Sequence, residues 1–257
     1  NCQQSFQVPA TTLIAGMVID PFWIQKRIGS GILGDIFLAK HLPTDQKVAL
    51  KALSPVFTEH LPAVEAFIAE ANRTLKLDHP NIAKVHELGV LEDCYYLSVE
   101  FVEGESLEER LKRGPMREAD ALKLVLTLAR ALRHAWERHG LLHGDLKPGN
   151  IMIAPDGTAK LLNLGLHQVF MLGADKADIT CDAHYLAPER AMQQPISLAS
   201  DIYALGGMIY QMITGTTPYE GADREELVAR HYHDPVPDPR AVDATISDGS
   251  ARLVASM

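Results

Sequence analysis

Asp145, Lys147 and Asn150 lie close together in the run His143-Gly144-Asp145-Leu146-Lys147-Pro148-Gly149-Asn150, and a short apolar stretch separates them from Leu162-Asn163-Leu164-Gly165. An acid, a lysine two residues on and an asparagine five residues on make a compact polar loop between apolar segments. A carboxylate so placed can hold a hydroxyl nucleophile and accept its proton. A neighbouring lysine steadies a phosphate, and side-chain oxygens nearby ligate a divalent metal. These types together suit phosphoryl transfer to a hydroxyl.

Other elements must deliver a phosphate to such a loop. From Phe22 the pattern is strand-like and leads into Gly29-Ser30-Gly31-Ile32-Leu33-Gly34-Asp35-Ile36. This is G-x-G-x-x-G. Glycines let a backbone approach phosphates closely, although a plain glycine-bearing hairpin reads the same way. A strand follows the motif, whereas a Rossmann fingerprint needs a helix. The next strand, Val48-Ala49-Leu50-Lys51, ends in a lysine. Alone it would be a solvated edge residue; downstream of the glycine loop it reads as a phosphate ligand. A helix is expected over about Leu61 to Leu77, with Phe67, Ala71, Thr74 and Leu75 on its inward face and Glu70 as the residue that orients Lys51. Strands follow at about Lys84–Val90 and Tyr95–Glu100. The pattern then turns helical, over Ser106 onward with Glu109 at the capping-box position, and over Glu118 to His139 with core residues at helical spacing. His134 and His139 read as surface or packing histidines.

The bulk numbers bound the answer. At 257 residues the chain holds one large domain or two lobes. Its 47% apolar and 22% charged residues are those of a soluble globular protein, and the net charge of -9 disfavours a nucleic-acid partner. Cys2, Cys94 and Cys181 show neither a disulfide framework nor zinc spacing, so a reducing, cytoplasmic setting is expected. No run is long and apolar enough for a membrane span. Residues 1–20 read as an N-terminal extension with linker character at Val8-Pro9-Ala10, and a first residue Asn1 suggests a piece of a longer chain.

The motifs occur in one order: the glycine loop, Lys51, Phe67-Ile68-Ala69-Glu70-Ala71 followed by Leu77-Asp78-His79-Pro80-Asn81-Ile82, the His143–Asn150 run, Asn163-Leu164-Gly165, Tyr185-Leu186-Ala187-Pro188-Glu189, and Ser200-Asp201 with Gly206. Over about residues 16–257 this resembles the eukaryotic-type protein kinases, and the His143–Ile151 phrase resembles the bacterial serine/threonine members. The resemblance implies an α+β, bilobal fold with a β-rich N-lobe at 21–101 and a helical C-lobe at 102–257 whose last helices are missing. It implies ATP as ligand, with Gly29, Gly31 and Gly34 over the phosphates, Lys51 on the α- and β-phosphates, and Glu70 orienting Lys51. Ile36, Ala49 and Met152 would sandwich adenine, Glu100 and Val102 would bind its edge through backbone groups, and Val99 would be the gatekeeper. Asp145 would be the base and Lys147 the γ-phosphate cation. Asn150 and position 163 would hold Mg, and Asp201 would anchor the loop backbone.

Several positions depart from that pattern. Asn163 stands where the family has an aspartate, and divalent cations prefer charged oxygens. One unit charge at about 4 Å and an effective dielectric near 20 is worth roughly 4 kcal/mol, or about three decades in rate if all of it falls on the transition state. Gly144 replaces the arginine that docks an activation-segment phosphate, and Thr180 is the only serine or threonine between Asn163 and Glu189. Cys181-Asp182 replaces Gly-Thr, so that Asp182 is placed to compete for Lys147. Thr74 replaces an apolar residue, and the arginine partner of Glu189 is missing, an end that would expose apolar surface and favour self-association. The expectation is a serine/threonine protein kinase-like domain that binds ATP and acts in signalling as a pseudokinase, with weak or no transfer and Mg binding compromised by Asn163. The alternatives are an active serine/threonine protein kinase and, more remotely, a small-molecule phosphotransferase. The protein substrate or partner is not legible.

Overall fold

The computed structural model describes residues 13–31, 33–91, 94–166, 169, 182–192 and 194–257. Two compact units share the chain. One comprises the described residues within 1–78, 83–101 and 165–179; the other takes 79–82, 102–164 and those within 180–257.

The first unit is built on a six-stranded antiparallel sheet of order β1-β2-β3-β4-β6-β5. Its strands are β1 (Val18–Ile19), β2 (Phe22–Gly31), β3 (Gly34–His41), β4 (Gln46–Ala52), β5 (Val85–Leu91) and β6 (Cys94–Glu100). Between β4 and β5 lie a short turn of helix, α1 (Pro55–Thr58), and α2 (Leu61–Thr74). Strand side chains alternate between faces, and one face is filled by Leu13, Ile19, Phe22, Ile24, Phe37, Ala39, Val48, Leu50 and Tyr96. Phe22 meets Tyr96 edge-on with ring centroids 6.2 Å apart. Val48, Ala49 and Leu50 are all buried, so β4 is covered on both faces. Helix α2 buries Ala63, Val64, Phe67, Glu70, Ala71 and Thr74, a single stripe at helical spacing. It ends at Thr74 rather than Leu77, because Leu77 N–H turns back to the Thr74 carbonyl at 3.0 Å in a tighter turn. The Thr74 hydroxyl is satisfied by the Glu70 and Ala71 carbonyls at 2.8 and 3.0 Å.

The second unit is mainly helical. It contains β7 (Glu105–Ser106), α3 (Leu107–Leu111), α4 (Glu118–His139), β8 (Ile151–Ile153), β9 (Ala159–Leu161), α5 (Pro188–Ala191), α6 (Leu198–Thr214), α7 (Arg224–His233) and α8 (Asp248–Ser256). Its three strands form a small antiparallel sheet of order β7-β8-β9. Ser106 caps α3 by accepting the Glu109 N–H at 3.1 Å, and Gly140 closes α4 in the left-handed conformation at φ 61°. Ser197 and Ser200 form a reciprocal capping box that starts α6. Residues 79–82 lie between α2 and β5 in the chain yet belong to this unit. Ile82 bridges Leu161, the Leu161 N–H reaches the Asn81 carbonyl at 2.9 Å, and the Asn81 amide reaches the Ala159 carbonyl at 2.8 Å. Among the described residues no helix is long and apolar enough to cross a membrane.

Candidate functional site

The glycine motif forms the β2–β3 hairpin, with Gly31 opposite Gly34 and Gly29 opposite Ile36; Ile32 lies outside the described residues. Only Gly34 is required by the backbone. Its φ is 143°, and a Cβ there would lie 2.1 Å from the Ala52 carbonyl oxygen. A Cβ on Gly29 or Gly31 would meet nothing within 4 Å among the described residues. The space beside those two glycines is open among the described residues.

The β3–β4 register places Ile36 opposite Lys51 and Leu38 opposite Ala49. Ile36, Ala49 and Lys51 therefore share one face of the sheet, opposite to the apolar core. Burial lowers the Lys51 pKa to about 8, which marks a cation held away from bulk water. Glu70 is 2% exposed, and its hydrogen-bonding partner is Arg73, one turn on in the same helix. Its other carboxylate oxygen is buried and has no hydrogen-bond partner among the described residues. Burial raises the Glu70 pKa, against the hydrogen bond and charge of Arg73. The expected orientation of Lys51 by Glu70 is thus not the hydrogen bond that Glu70 makes. Arg73 was missed in the sequence, although its i,i+3 spacing from Glu70 is a visible signal. Glu100 ends β6, where its N–H reaches the Lys84 carbonyl at 2.7 Å and its side chain accepts the Lys84 N–H at 3.1 Å. Val99 is buried beside it in the sheet.

In the helical unit the polar loop is built around a buried anchor. Asp201, in the first turn of α6, accepts the His143 and Gly144 N–H groups at 2.8 Å each. Burial raises its pKa, opposed by the neighbouring His143 ring, by those two donors and by Arg190. Gly144 sits at φ 68°, a left-handed conformation that favours glycine over the family's arginine. His143 is fully buried. One ring nitrogen lies 2.8 Å from the Leu162 carbonyl, and the other accepts the Asp145 N–H at 3.3 Å. Those contacts fix a neutral ring with the proton on Nε2, in keeping with a pKa lowered by burial. The histidine ties the two halves of the loop site together, a role its sequence position did not disclose.

The reactive side chains converge here. Lys147 Nζ lies 3.1 Å from Asp145 Oδ2. The Asn150 amide N–H₂ donates to the Asp145 carbonyl at 2.6 Å and to Oδ2 at 3.1 Å. Asn150 Oδ1 accepts from Asn163 Nδ2 at 2.7 Å, and the Leu162 N–H donates to the Asn150 carbonyl at 2.9 Å. Asn163 adopts φ 61°, which asparagine tolerates. Met152 follows on β8, half-buried, and Val102 begins this unit's second stretch, buried. Asp182 feels the charge of Lys147, but its hydrogen-bond partner is His184. It accepts the His184 N–H at 3.1 Å and pairs with His184 Nδ1 at 2.8 Å. Glu189 does have a partner, the Ser200 hydroxyl at 2.5 Å. Tyr185 donates to Gln211 at 2.6 Å. Thr180 and Cys181 lie outside the described residues, as does most of the segment between 166 and 182.

The helical unit thus carries a carboxylate, a lysine and an asparagine on one clamped loop, and the sheet unit carries a glycine hairpin and a half-buried strand lysine. Comparison with known families matches residues 22–257 to the protein kinase domain. The chain belongs to the protein kinase domain family. Its curated relatives include the serine/threonine-protein kinase PrkC of Bacillus subtilis, 28% identical over 94% of this chain and 38% of that protein. Another is the serine/threonine-protein kinase PknA of Mycobacterium tuberculosis, 34% identical over 83% of this chain and 51% of that protein. The chain thus spans about half or less of the length of these relatives. Among solved structures, a point mutant of the Mycobacterium tuberculosis PknI kinase domain superposes with a TM-score of 0.73 at 23% identity, covering 96% of this chain and 92% of that one. That likeness supports the α+β kinase fold, with its curled sheet and helical body.

Proposed function

We propose that this serine/threonine kinase domain binds ATP and transfers phosphate weakly or not at all, acting in signalling as a pseudokinase. The carrying observation is the hydrogen bond from Asn163 Nδ2 to Asn150 Oδ1. It places an N–H donor against the oxygen the family offers to a metal. On this reading the chain has lobes at 21–101 and 102–257, with an extension at 1–20. Gly29, Gly31 and Gly34 would cover the ATP phosphates, and Lys51 would neutralise them. Ile36, Ala49 and Met152 would flank adenine, and the Glu100 and Val102 backbone would read its edge. The shared sheet face of Ile36, Ala49 and Lys51 supports this. The arrangement of Glu70 supports low activity, because a carboxylate committed to Arg73 is not aimed to orient a phosphate-binding lysine.

The metal-ligand set does not fit a divalent cation. Both asparagines are neutral and one candidate ligand oxygen is occupied, whereas such cations take charged oxygens. A second reading, an active serine/threonine protein kinase, has one observation in its favour: Asp145, Lys147 and Asn150 are already joined as a base site.

Transfer from labelled ATP to protein, measured for the parent, Asp145→Asn and Asn163→Asp, separates the two. A silent parent, revived by Asn163→Asp, is the expected result. Transfer by the parent that Asp145→Asn abolishes would make it an active kinase. Thermal-shift titration tests binding itself: stabilisation should grow with ATP above its dissociation constant, and no shift at millimolar ATP would sink the nucleotide reading.

A further inference from the structure

We infer that the hydrogen bond from the Asn163 amide to Asn150 Oδ1 does the structural work of a cation in this loop, so that the site takes its nucleotide as the free, metal-uncomplexed polyphosphate. The second half rests on the ATP-binding reading above; the first does not.

The orientation of each amide is forced. Asn150 must turn its N–H₂ group to Asp145, where two acceptors wait at 2.6 and 3.1 Å. Its Oδ1 then faces position 163, and the Asn163 N–H₂ group meets it at 2.7 Å. An aspartate at 163 would set a carboxylate oxygen against Oδ1 at that separation, acceptor against acceptor. Flipping the Asn150 amide offers no escape, because Oδ1 would then face the carbonyl and carboxylate of Asp145. Only a cation between the two oxygens relieves such a pair. In this chain the Asn163 amide N–H stands where that second oxygen would be and donates to Asn150 Oδ1. The backbone supports it, since the bonds from Leu162 to Asn150 and from His143 to Leu162 hold residues 150 and 163 in register.

Charge argues the same way. Around this bond Asp145 carries one negative charge and Lys147 one positive, 3.1 Å apart, and the two asparagines add none. The two asparagines thus bring no charge of their own to a divalent ion, whereas the Lys147 ammonium can meet a phosphate oxygen directly.

The test is thermal unfolding of the chain with and without nucleotide, in EDTA and in millimolar MgCl₂ or MnCl₂. Without nucleotide, the melting temperature of the parent should be the same in all three buffers. Asn163→Asp should melt about 3–8 °C lower in EDTA and recover with Mn²⁺. Asn163→Gly, which keeps the left-handed backbone but has no side chain, should melt lower and ignore metal. With ATP, the parent should be stabilised at least as much in EDTA as in Mg²⁺. Asn163→Asp as stable as the parent in EDTA, or a parent stabilised by metal alone, would overturn the cation-replacement inference. An ATP shift that requires Mg²⁺ would overturn its nucleotide half. If no ATP shift occurs in any buffer, the ATP-binding reading has failed, and the nucleotide-free arms still decide the first half. If Asn163→Asp folds in no buffer, the metal response of the parent and of Asn163→Gly decides it.

Discussion

The two polar centres of this kinase domain are finished to different degrees. On the loop, the side chains of His143, Asp145, Lys147, Asn150 and Asn163 each have a named partner, and the backbone beneath is gripped by Asp201. In the sheet unit, Glu70 spends one oxygen on a neighbour in its own helix and buries the other with no hydrogen bond among the described residues. A satisfied network is rigid, and a half-satisfied one stores cost. The loop is thus preorganised for a state without further ligands, whereas the helix is held in an arrangement that an additional cation at Glu70 would improve.

Three measurements bear on that contrast. The largest effect is expected at the anchor. Asp201→Ala removes two charge-assisted hydrogen bonds and strands two buried N–H groups, which should cost about 4 kcal/mol in urea unfolding. A loss below about 1 kcal/mol would mean the loop is not held from α6. Next comes Glu70→Gln. Burial raises the Glu70 pKa, so its charged form is penalised above the raised value and the penalty is gone below the ordinary value of 4.5. The amide variant should therefore be more stable than the parent at pH 7 by about 1 kcal/mol, with the gap closing as pH falls toward that of a free carboxyl. A variant less stable at pH 7 would show that the Arg73 pair outweighs the burial. The smallest effect belongs to His184. The Asp182 side-chain hydrogen bond raises its pKa, against partial burial. Although burial works against Asp182, the His184 contacts and the Lys147 charge hold its pKa below the ordinary value. The pair's contribution is present below pH 6.5, the ordinary histidine value, and is lost as pH rises through the raised one. Both groups are partly exposed, so His184→Gln should cost under about 1 kcal/mol at pH 6 and nothing at pH 9. A pH-independent loss would assign His184 a packing role.

The order of motifs made the fold legible, because together they resemble one family and that resemblance implies its fold. Asp201 was legible too, as the loop-backbone anchor that the family resemblance implies, and the structure shows the two N–H groups it accepts. What escaped was partner choice. Spacing assigns Glu70 to the inward face of α2, but it does not say whether the carboxylate turns to a strand lysine or to Arg73 on its own helix. Ser200 carried no role in the sequence, yet its hydroxyl both caps α6 and serves Glu189. The Asn163–Asn150 bond was invisible for the same reason. Losing a charge at 163 is written in the sequence; gaining a donor aimed at a particular oxygen depends on the turn at φ 61° and on which way Asn150 is already committed.

The detour of residues 79–82 has a practical consequence for anyone dissecting this molecule. The two units are interleaved along the chain, so no single cut yields both intact. A fragment beginning at Val102 would lack Asn81 and Ile82, leaving the Ala159 carbonyl and the Leu161 N–H on an edge without their partners. A faithful helical fragment needs those residues spliced back by a tether or by circular permutation. Protease nicking between β6 and β7 should likewise leave the halves associated through their shared backbone segment until denaturant is added.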